Sequence, residues 1–414
     1  MAIIRPFTAL RPQPQLAKQV ASRPYDVMNS AEAKLEAQGN HHSFLHVTRS
    51  EIDLDAAIDV HSQEVYDRAR ENLDAFMKRD ILFREGKDCY YIYRLVMNGR
   101  EQTGLVCLSS LADYDNGIIK KHELTRPEKE QDRIQHMITI GAQTGNVFLA
   151  YRDNPGVTSI IEQWTTGKAP VYDLLADDGI RHSVWVINDS DTNDRITALF
   201  ASEVPCTYIA DGHHRAASAA KARQLLTGDK AGGTDFFLTT IFPSSHLQIL
   251  DYNRVVKDLN GLSSADFIKK LGKDFTVKLV GEEPVRPAVP HEFGMYLADN
   301  WYRLQARPGS FSEDPIGVLD VTILQKNVLD RILGIKDPRT DERVDFVGGM
   351  RGLDGLQKRV DAGSMQVAFS LYPVTMEQLF AIADSGQIMP PKSTWFEPKL
   401  RDGLLTHLLG PEEQ

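Results

Sequence analysis

Cysteine is scarce in this chain, whose 414 residues include only Cys89, Cys107 and Cys206. These three residues are far apart and odd in number, so they match neither a zinc site nor a disulfide framework. Such sparse use of cysteine is typical of a reducing compartment. The N-terminus lacks the apolar segment of a signal peptide, and no apolar run approaches the ~20 residues of a membrane span. We therefore expect a cytoplasmic protein without a membrane partner.

An excess of positive charge is also missing. Asp and Glu number 57 against 47 Lys and Arg, which gives a formal net charge of −10. A protein that binds nucleic acid generally needs a basic face, so this balance disfavours a nucleic-acid partner. The hydrophobic fraction of 42% is ordinary for a soluble globular protein. The composition leaves a homo-oligomer open.

Two common phosphate-binding fingerprints are absent, since the chain has no G-x-x-x-x-G-K-[ST] loop and no G-x-G-x-x-G turn. Instead, a short apolar run ends at Asp211-Gly212, and His213, His214 and Arg215 open an alanine-rich segment. This pattern predicts a strand that passes into a helix through the glycine. Main-chain N–H groups and the positive end of the helix dipole meet at such a turn, which suits an anion.

The residue types at this turn indicate a site that handles phosphate. Arg215 offers a planar guanidinium for phosphate oxygens, and Asp211 offers a carboxylate that can hold a metal ion or orient a histidine. His213 and His214 add two further titratable groups to the turn. For any one of these residues, a helix cap or a surface charge is the alternative interpretation.

Hydrophobic periodicity and turn residues predict a mixed α/β fold of two or three domains. The clearest predicted elements are a helix over 61–79, hairpins that turn at Asn98-Gly99 and at Asp299-Asn300, a helix capped by Asp320, and a helix that begins with a capping box at Thr375 and closes at Gly386. Changes in composition divide the chain into an N-terminal region of unassigned role (1–105), a core that carries the turn (106–245) and a C-terminal α+β domain (246–414).

Six short motifs resemble, in the same order, the domain-of-unknown-function family 1015. They are Pro6-Phe-Thr-Ala-Leu-Arg-Pro12, Arg23-Pro-Tyr-Asp-Val27, Ser43-Phe-Leu-His-Val47, His122-Glu-x-Thr125, Ile209-Ala-Asp-Gly-His-His-Arg215 and Met389-Pro-Pro-Lys-Ser-Thr394. The resemblance spans nearly the whole chain and names no reaction by itself.

Three of these motifs are also similar, more distantly, to archaeal free-serine kinases of the ParB-like type. The motifs are His122-Glu123, Asp211 to Arg215, and Pro391 to Thr394. This resemblance implies a ParB/sulfiredoxin-like nucleotide-binding core with N-terminal and C-terminal α+β regions. Sulfiredoxin needs a cysteine where His213 stands, so peroxiredoxin repair is not expected.

The resemblance to the kinases implies phosphoryl transfer from ATP or ADP to a small-molecule hydroxyl, with free L-serine as the suggested acceptor. The catalytic residues implied are Glu123 as base, Asp211, His213, His214 and Arg215. The nucleotide contacts implied are Gly212, His213, Arg215, Lys392, Ser393 and Thr394. Asp211 would help to hold Mg²⁺, which prefers oxygen ligands. The alternatives are a ParB-like nucleotide-binding regulator or switch without a small-molecule acceptor, and a homologue with a structural role only.

Overall fold

The chain folds into two compact units, according to a computed structural model that describes residues 1–226, 233–349 and 352–410. Unit 1 comprises Met1–Leu247 and the residues from Pro398 onward, and unit 2 comprises Gln248–Glu397. The predicted boundary after residue 105 falls inside a strand of unit 1, Arg100–Ser110. The predicted fold class, a mixed α/β core with further α+β regions, is confirmed.

A mixed sheet forms the centre of unit 1. The strands of this unit up to residue 247 are β1 (Ile4–Arg5), β2 (Leu10–Pro12), β3 (Leu82–Arg84), β4 (Tyr90–Met97), β5 (Arg100–Ser110), β6 (Ile119–Lys120), β7 (Ala142–Gln143), β8 (Val147–Tyr151), β9 (Tyr172–Leu175), β10 (Arg181–Ile187), β11 (Thr207–Asp211) and β12 (Phe236–Pro243). The sheet order is β6-β11-β8-β12-β5-β4-β10-β9, and β1 pairs with β5. Strand β11 lies parallel to β6 and antiparallel to β8.

Helices of unit 1 pack their apolar sides into the core. They are α1 (Ala17–Val20), α2 (Ser30–Glu36), α3 (Leu45–Thr48), α4 (Gln63–Lys78), α5 (Leu111–Asp115), α6 (Pro127–Ile140), α7 (Pro155–Gly167), α8 (Ser190–Glu203) and α9 (His213–Leu225). The prediction for 61–79 is confirmed by α4, which buries Val65, Ala69, Leu73 and Phe76. In α9 the small side chains of Ala216 and Ala219 join the core of the sheet. Among the described residues, no helix is both long and apolar enough to cross a membrane.

Unit 2 contains an antiparallel sheet in the order β15-β17-β16-β19-β14-β18. Its strands are β13 (Ile249–Leu250), β14 (Tyr252–Val256), β15 (Phe275–Gly281), β16 (Glu292–Leu297), β17 (Asn300–Ala306), β18 (Val344–Gly348), β19 (Val367–Leu371) and β20 (Trp395–Phe396). Its helices are α10 (Ser264–Leu271), α11 (Asp320–Leu324), α12 (Gly352–Asp361) and α13 (Met376–Asp384), and α11 continues as a π-helix over Gln325–Asp330. Beyond unit 2, β21 (His407–Leu408) pairs with β7.

The first predicted hairpin turn is confirmed, and the second is displaced by one residue. Asn98 and Gly99 have φ angles of 53° and 79° and connect β4 to β5. In unit 2 the left-handed residues are Ala298 and Asp299, with φ angles of 48° and 61°, and Asn300 already belongs to β17. Turn chemistry favours Asn or Gly at such positions, so an alanine there was not expected.

The two predicted helix starts in unit 2 have opposite outcomes. The capping box is confirmed, because the Thr375 side chain accepts from the N–H of Gln378 and the Gln378 side chain accepts from the N–H of Thr375. The cap predicted at Asp320 is wrong, because Leu319 occupies the N-cap and Asp320 is the first helical residue. Its Oδ1 accepts instead from the N–H of His291 at 2.8 Å.

Candidate functional site

The strand-to-helix turn predicted at Asp211-Gly212 is present in unit 1. Strand β11 ends at Asp211, Gly212 has a φ of 95°, and α9 begins at His213. A side chain at Gly212 would be strained by this φ, and its Cβ would lie 3.1 Å from Cζ of Arg215. Glycine therefore allows both the sharp turn and the close approach of the guanidinium to the start of the helix.

Arg215 lies folded back over this turn, with its side chain only 11% exposed. Nη1 donates to the carbonyl of Asn146, and Nη2 donates to Oδ2 of Asp211 at 2.9 Å. Oδ2 of Asp26 lies 3.6 Å from Nη2. Burial opposes the charge, but Asp26 and then Asp211 outweigh it and hold the pKa of Arg215 above its ordinary value. The guanidinium is therefore charged and fixed in place.

Asp211 connects two cations. Besides Arg215, it faces Nζ of Lys399, which lies 3.3 Å from Oδ2. Burial alone would raise the pKa of Asp211, but Lys399 and then Arg215 hold it well below its ordinary value. Asp211 therefore stays ionised and keeps an ammonium and a guanidinium close together beside the N-terminus of α9.

Asp211 does not offer a ready magnesium site in this arrangement. Its Oδ2 already faces Arg215 and Lys399. Within residues 1–226, 233–349 and 352–410, no group of three or more His, Cys, Asp and Glu is arranged to hold a metal ion. The metal role of Asp211 stays a prediction.

His213 and Glu123 come together beside the turn. Nδ1 of His213 lies 3.8 Å from Oε2 of Glu123, and Nε2 accepts from the N–H of His122 at 3.4 Å. Burial, reinforced by His122, lowers the pKa of His213 well below its ordinary value. The ring is therefore neutral at physiological pH. With Nε2 accepting, its proton belongs on Nδ1, which faces Glu123.

His122 completes this group. Its ring stands edge-on to that of His213, with centroids 4.5 Å apart, and is fully buried. Burial lowers the pKa of His122 to about 4. The two buried rings are therefore neutral where they lie beside Glu123, whose side chain is 31% exposed.

His214 faces a different partner from His213. Its Nε2 accepts from the N–H of Arg126 at 3.0 Å, and Arg126 is the N-cap of α6. Burial and then the charge of Lys129 lower the pKa of His214. The contact ties the start of α6 to the start of α9, so the structure gives His214 an evident role in holding the turn.

Asp26 and Asp402 complete the surroundings of Arg215, and reasoning from the sequence missed their role there. Asp402 is 3% exposed, and burial raises its pKa to about 7 against the opposing effect of Arg215. Its main chain forms a β-bridge with Ser22, four residues before Asp26. The Arg23-Pro-Tyr-Asp-Val27 motif was a signal for Asp26, whereas nothing in the local sequence distinguishes Lys399 or Asp402.

The remaining predicted nucleotide contacts belong to unit 2. Lys392 is exposed and has a left-handed φ of 57°. Ser393 is buried, and its hydroxyl donates to the carbonyl of Pro390 at 2.6 Å. The Ser393 hydroxyl is therefore engaged within its own turn. The approach of Lys392 and Thr394 to the Asp211 turn stays a prediction.

Comparison with known proteins identifies a family. The family model described as Protein of unknown function (DUF1015) matches residues 4–322. The expected resemblance to this family is confirmed, and the matched residues contain the first five of the six motifs. A comparison with curated proteins found no match.

Solved structures give distant likenesses. One is a mutant free serine kinase in complex with AMP, with 12% identity and a TM-score of 0.39 over 74% of this chain and 92% of that chain. A second is a conserved hypothetical protein from Pyrococcus furiosus, with 13% identity and a TM-score of 0.33 over 73% and 94%. A third is C-terminally truncated SbnI from Staphylococcus aureus, with 12% identity and a TM-score of 0.37 over 73% and 87%. Likeness at this level carries no argument about activity.

Proposed function

The chain belongs to the DUF1015 family of proteins of unknown function, and we propose that this member is a phosphotransferase. It would move a phosphoryl group from ATP or ADP to the hydroxyl of a small molecule. Free L-serine is the suggested acceptor, because three motifs of this chain resemble those of free-serine kinases and follow in the same order. The observation that carries the proposal is the arrangement of Arg215 and Lys399 around Asp211 at the start of α9.

Phosphoryl transfer asks a protein mainly to align donor and acceptor and to neutralise the charge that develops on phosphate oxygens. Two cations held by one carboxylate beside the N-terminus of a helix supply that charge in a fixed place. The positive φ and small size of Gly212 let a phosphate approach the first N–H groups of α9. In this proposal Gly212, His213 and Arg215 contact the nucleotide phosphates, and Asp211 sets the position of Arg215.

Glu123 is the residue that we assign to the acceptor hydroxyl. The hydroxyl oxygen would attack phosphorus, the bond from phosphorus to the departing nucleotide oxygen would break, and the hydroxyl proton would pass to Glu123. The neutral His213, whose Nδ1 lies 3.8 Å from Oε2 of Glu123, would orient the carboxylate rather than add charge. ADP would leave when ATP is the donor, and AMP would leave when ADP is the donor.

The test is direct. Purified protein is incubated with Mg²⁺, L-serine and either ATP or ADP, and O-phosphoserine is measured by mass spectrometry together with the nucleotide product. We expect O-phosphoserine and the nucleotide product to form in equal amounts, and we expect neither product to form with Arg215→Ala. A panel of other hydroxyl compounds identifies the acceptor if serine fails. Tight nucleotide binding with no phosphorylated acceptor in the whole panel would favour the nucleotide-binding regulator instead.

A further inference from the structure

In the turn Pro390–Ser393 of unit 2, the carbonyl groups of the first three residues accept hydrogen bonds from side chains of the same unit. Nη2 of Arg254 donates to the carbonyl of Lys392 at 2.8 Å and to that of Pro391 at 3.4 Å. The Ser393 hydroxyl donates to the carbonyl of Pro390 at 2.6 Å. Three successive carbonyl groups are thus satisfied within the unit.

Arg254 is an unusual residue for the middle of a sheet. It lies in β14, is 4% exposed, and its Nη1 donates to the carbonyl of Tyr252. Its guanidinium lies 5.1 Å from the ring centroid of Phe346. Within the described part of unit 2, its hydrogen bonds go to carbonyl groups and none goes to a carboxylate. A buried cation without a counter-charge is costly, so its presence here suggests a use beyond stability.

The position of these carbonyls fixes the direction of the neighbouring N–H groups. In a trans peptide unit the C=O and N–H point in opposite directions. Because the carbonyls of Pro391 and Lys392 point to Arg254, the N–H groups of Lys392 and Ser393 point away from it. In the described part of unit 2 neither N–H has a hydrogen-bond partner, and the same holds for the Thr394 hydroxyl.

The backbone conformation of Lys392 also shows that the turn is constrained. Its φ of 57° lies in the left-handed region, which costs a residue with a side chain roughly 1–2 kcal/mol. Strained positions of this kind persist where the surroundings over-determine them, and they cluster at ligand sites. Successive N–H groups in such a turn form a concave site for an anion.

We propose that Arg254 is a positioning residue that holds the Pro390–Ser393 turn open as an anion site. The ligands of that site are the N–H groups of Lys392 and Ser393, with the Lys392 ammonium and the Thr394 hydroxyl, and not the Ser393 hydroxyl. The assignment rests on the proposed function only in taking the phosphate of a nucleotide as the anion.

The test uses the full-length protein with ¹⁵N-labelled lysine and serine, titrated with ADP and separately with inorganic phosphate. Either ligand should shift the amide signals of Lys392 and Ser393. Arg254→Met should raise the dissociation constant of ADP about tenfold and abolish these shifts, while Arg254→Lys should recover part of both. Lys392→Gly keeps the left-handed turn, so the amide of residue 393 should still shift although the ammonium is gone.

Three results would be decisive. Unmoved amides of Lys392 and Ser393 with both ligands would overturn the assignment, even if Arg254→Met failed to fold. Normal ADP affinity in a folded Arg254→Met would also overturn it. If the amides shift as expected but no acceptor is phosphorylated, the proposed phosphotransferase activity is wrong, whereas the proposed role of Arg254 is supported.

Discussion

Nζ of Lys399 lies 3.3 Å from Oδ2 of Asp211, although the two residues are far apart in the sequence. The contact brings an ammonium to the turn that already holds Arg215, and it keeps Asp211 ionised. Lys399 thereby places a second cation beside the turn that we propose as the phosphate site.

We predict that Lys399→Met lowers kcat/KM for phosphoryl transfer about tenfold, the equivalent of ~1.4 kcal/mol. The reason is that one of the two cations at the turn is lost while the apolar stem of the side chain is kept. Lys399→Arg should retain most activity, and Lys87→Met at an exposed position should retain all of it. Steady-state kinetics checks the three variants, and an unchanged kcat/KM in Lys399→Met would remove Lys399 from the site.

Arg215→Ala should lower kcat/KM by ~10²-fold or more, because arginines that neutralise transferring phosphates contribute at least this much. Arg215→Lys should recover little, since a point charge cannot reproduce the planar fork that contacts Asp211 and Asn146. His213→Ala should resemble Arg215→Ala. The matched control is Arg223→Ala on the same helix, where the pair with Asp115 lies away from the turn. Undiminished turnover in Arg215→Ala would contradict the phosphate-site interpretation altogether.

Glu123→Gln should lower kcat by ~10²-fold or more and leave the dissociation constant of ADP nearly unchanged. The amide cannot accept the proton, but it can still face His213 and leaves the phosphate contacts intact. Titration calorimetry with ADP and product formation under saturating substrate separate the two effects. Glu128→Gln, exposed in the first turn of α6, is the control. Full turnover in Glu123→Gln would show that another group is the base.

The strand, the glycine and the start of α9 could be predicted because the signal is local: an apolar run, a residue that tolerates positive φ, and alanines that favour a helix. The contact of Lys399 with Asp211 and the electrostatic interaction of Asp402 with Arg215 could not be predicted, since they depend on where the chain returns after residue 397. The wrong cap at Asp320 has a similar cause. Its carboxylate finds the N–H of His291 in the tertiary structure, which a rule about neighbouring residues does not consider.

Asp402 should make stability depend on pH. Burial raises its pKa to about 7 in the folded protein, whereas an unfolded Asp titrates near 3.9. Between these values the folded state binds more protons, so the contribution of Asp402 to stability is complete below pH ~4 and is lost as pH rises through about 7. Each unit of difference is worth about 1.4 kcal/mol.

Urea unfolding between pH 4 and pH 8 measures this effect. Asp402→Asn cannot ionise, so its stability should decline less than that of the wild type over the range. Asp177→Asn, at a fully exposed carboxylate, should follow the wild type. Equal slopes for wild type and Asp402→Asn would mean that Asp402 titrates normally in the folded protein.

Gly212→Ala tests whether the close approach of Arg215 to the turn matters for function. The added Cβ meets two penalties, a φ of 95° and a contact of 3.1 Å with Cζ of Arg215. Gly99→Ala meets only the first, because Gly99 has a φ of 79° and open space around it. Both variants should lose ~1–2 kcal/mol of stability from the backbone alone. Only Gly212→Ala should also displace the guanidinium and lower kcat/KM by ~10-fold or more, as expected when a group that stabilises the transition state is misplaced by about 1 Å.

Thermal unfolding and product formation measured on the same samples separate stability from activity. Equal activity of the two variants would show that the guanidinium need not lie against Gly212 for transfer to occur.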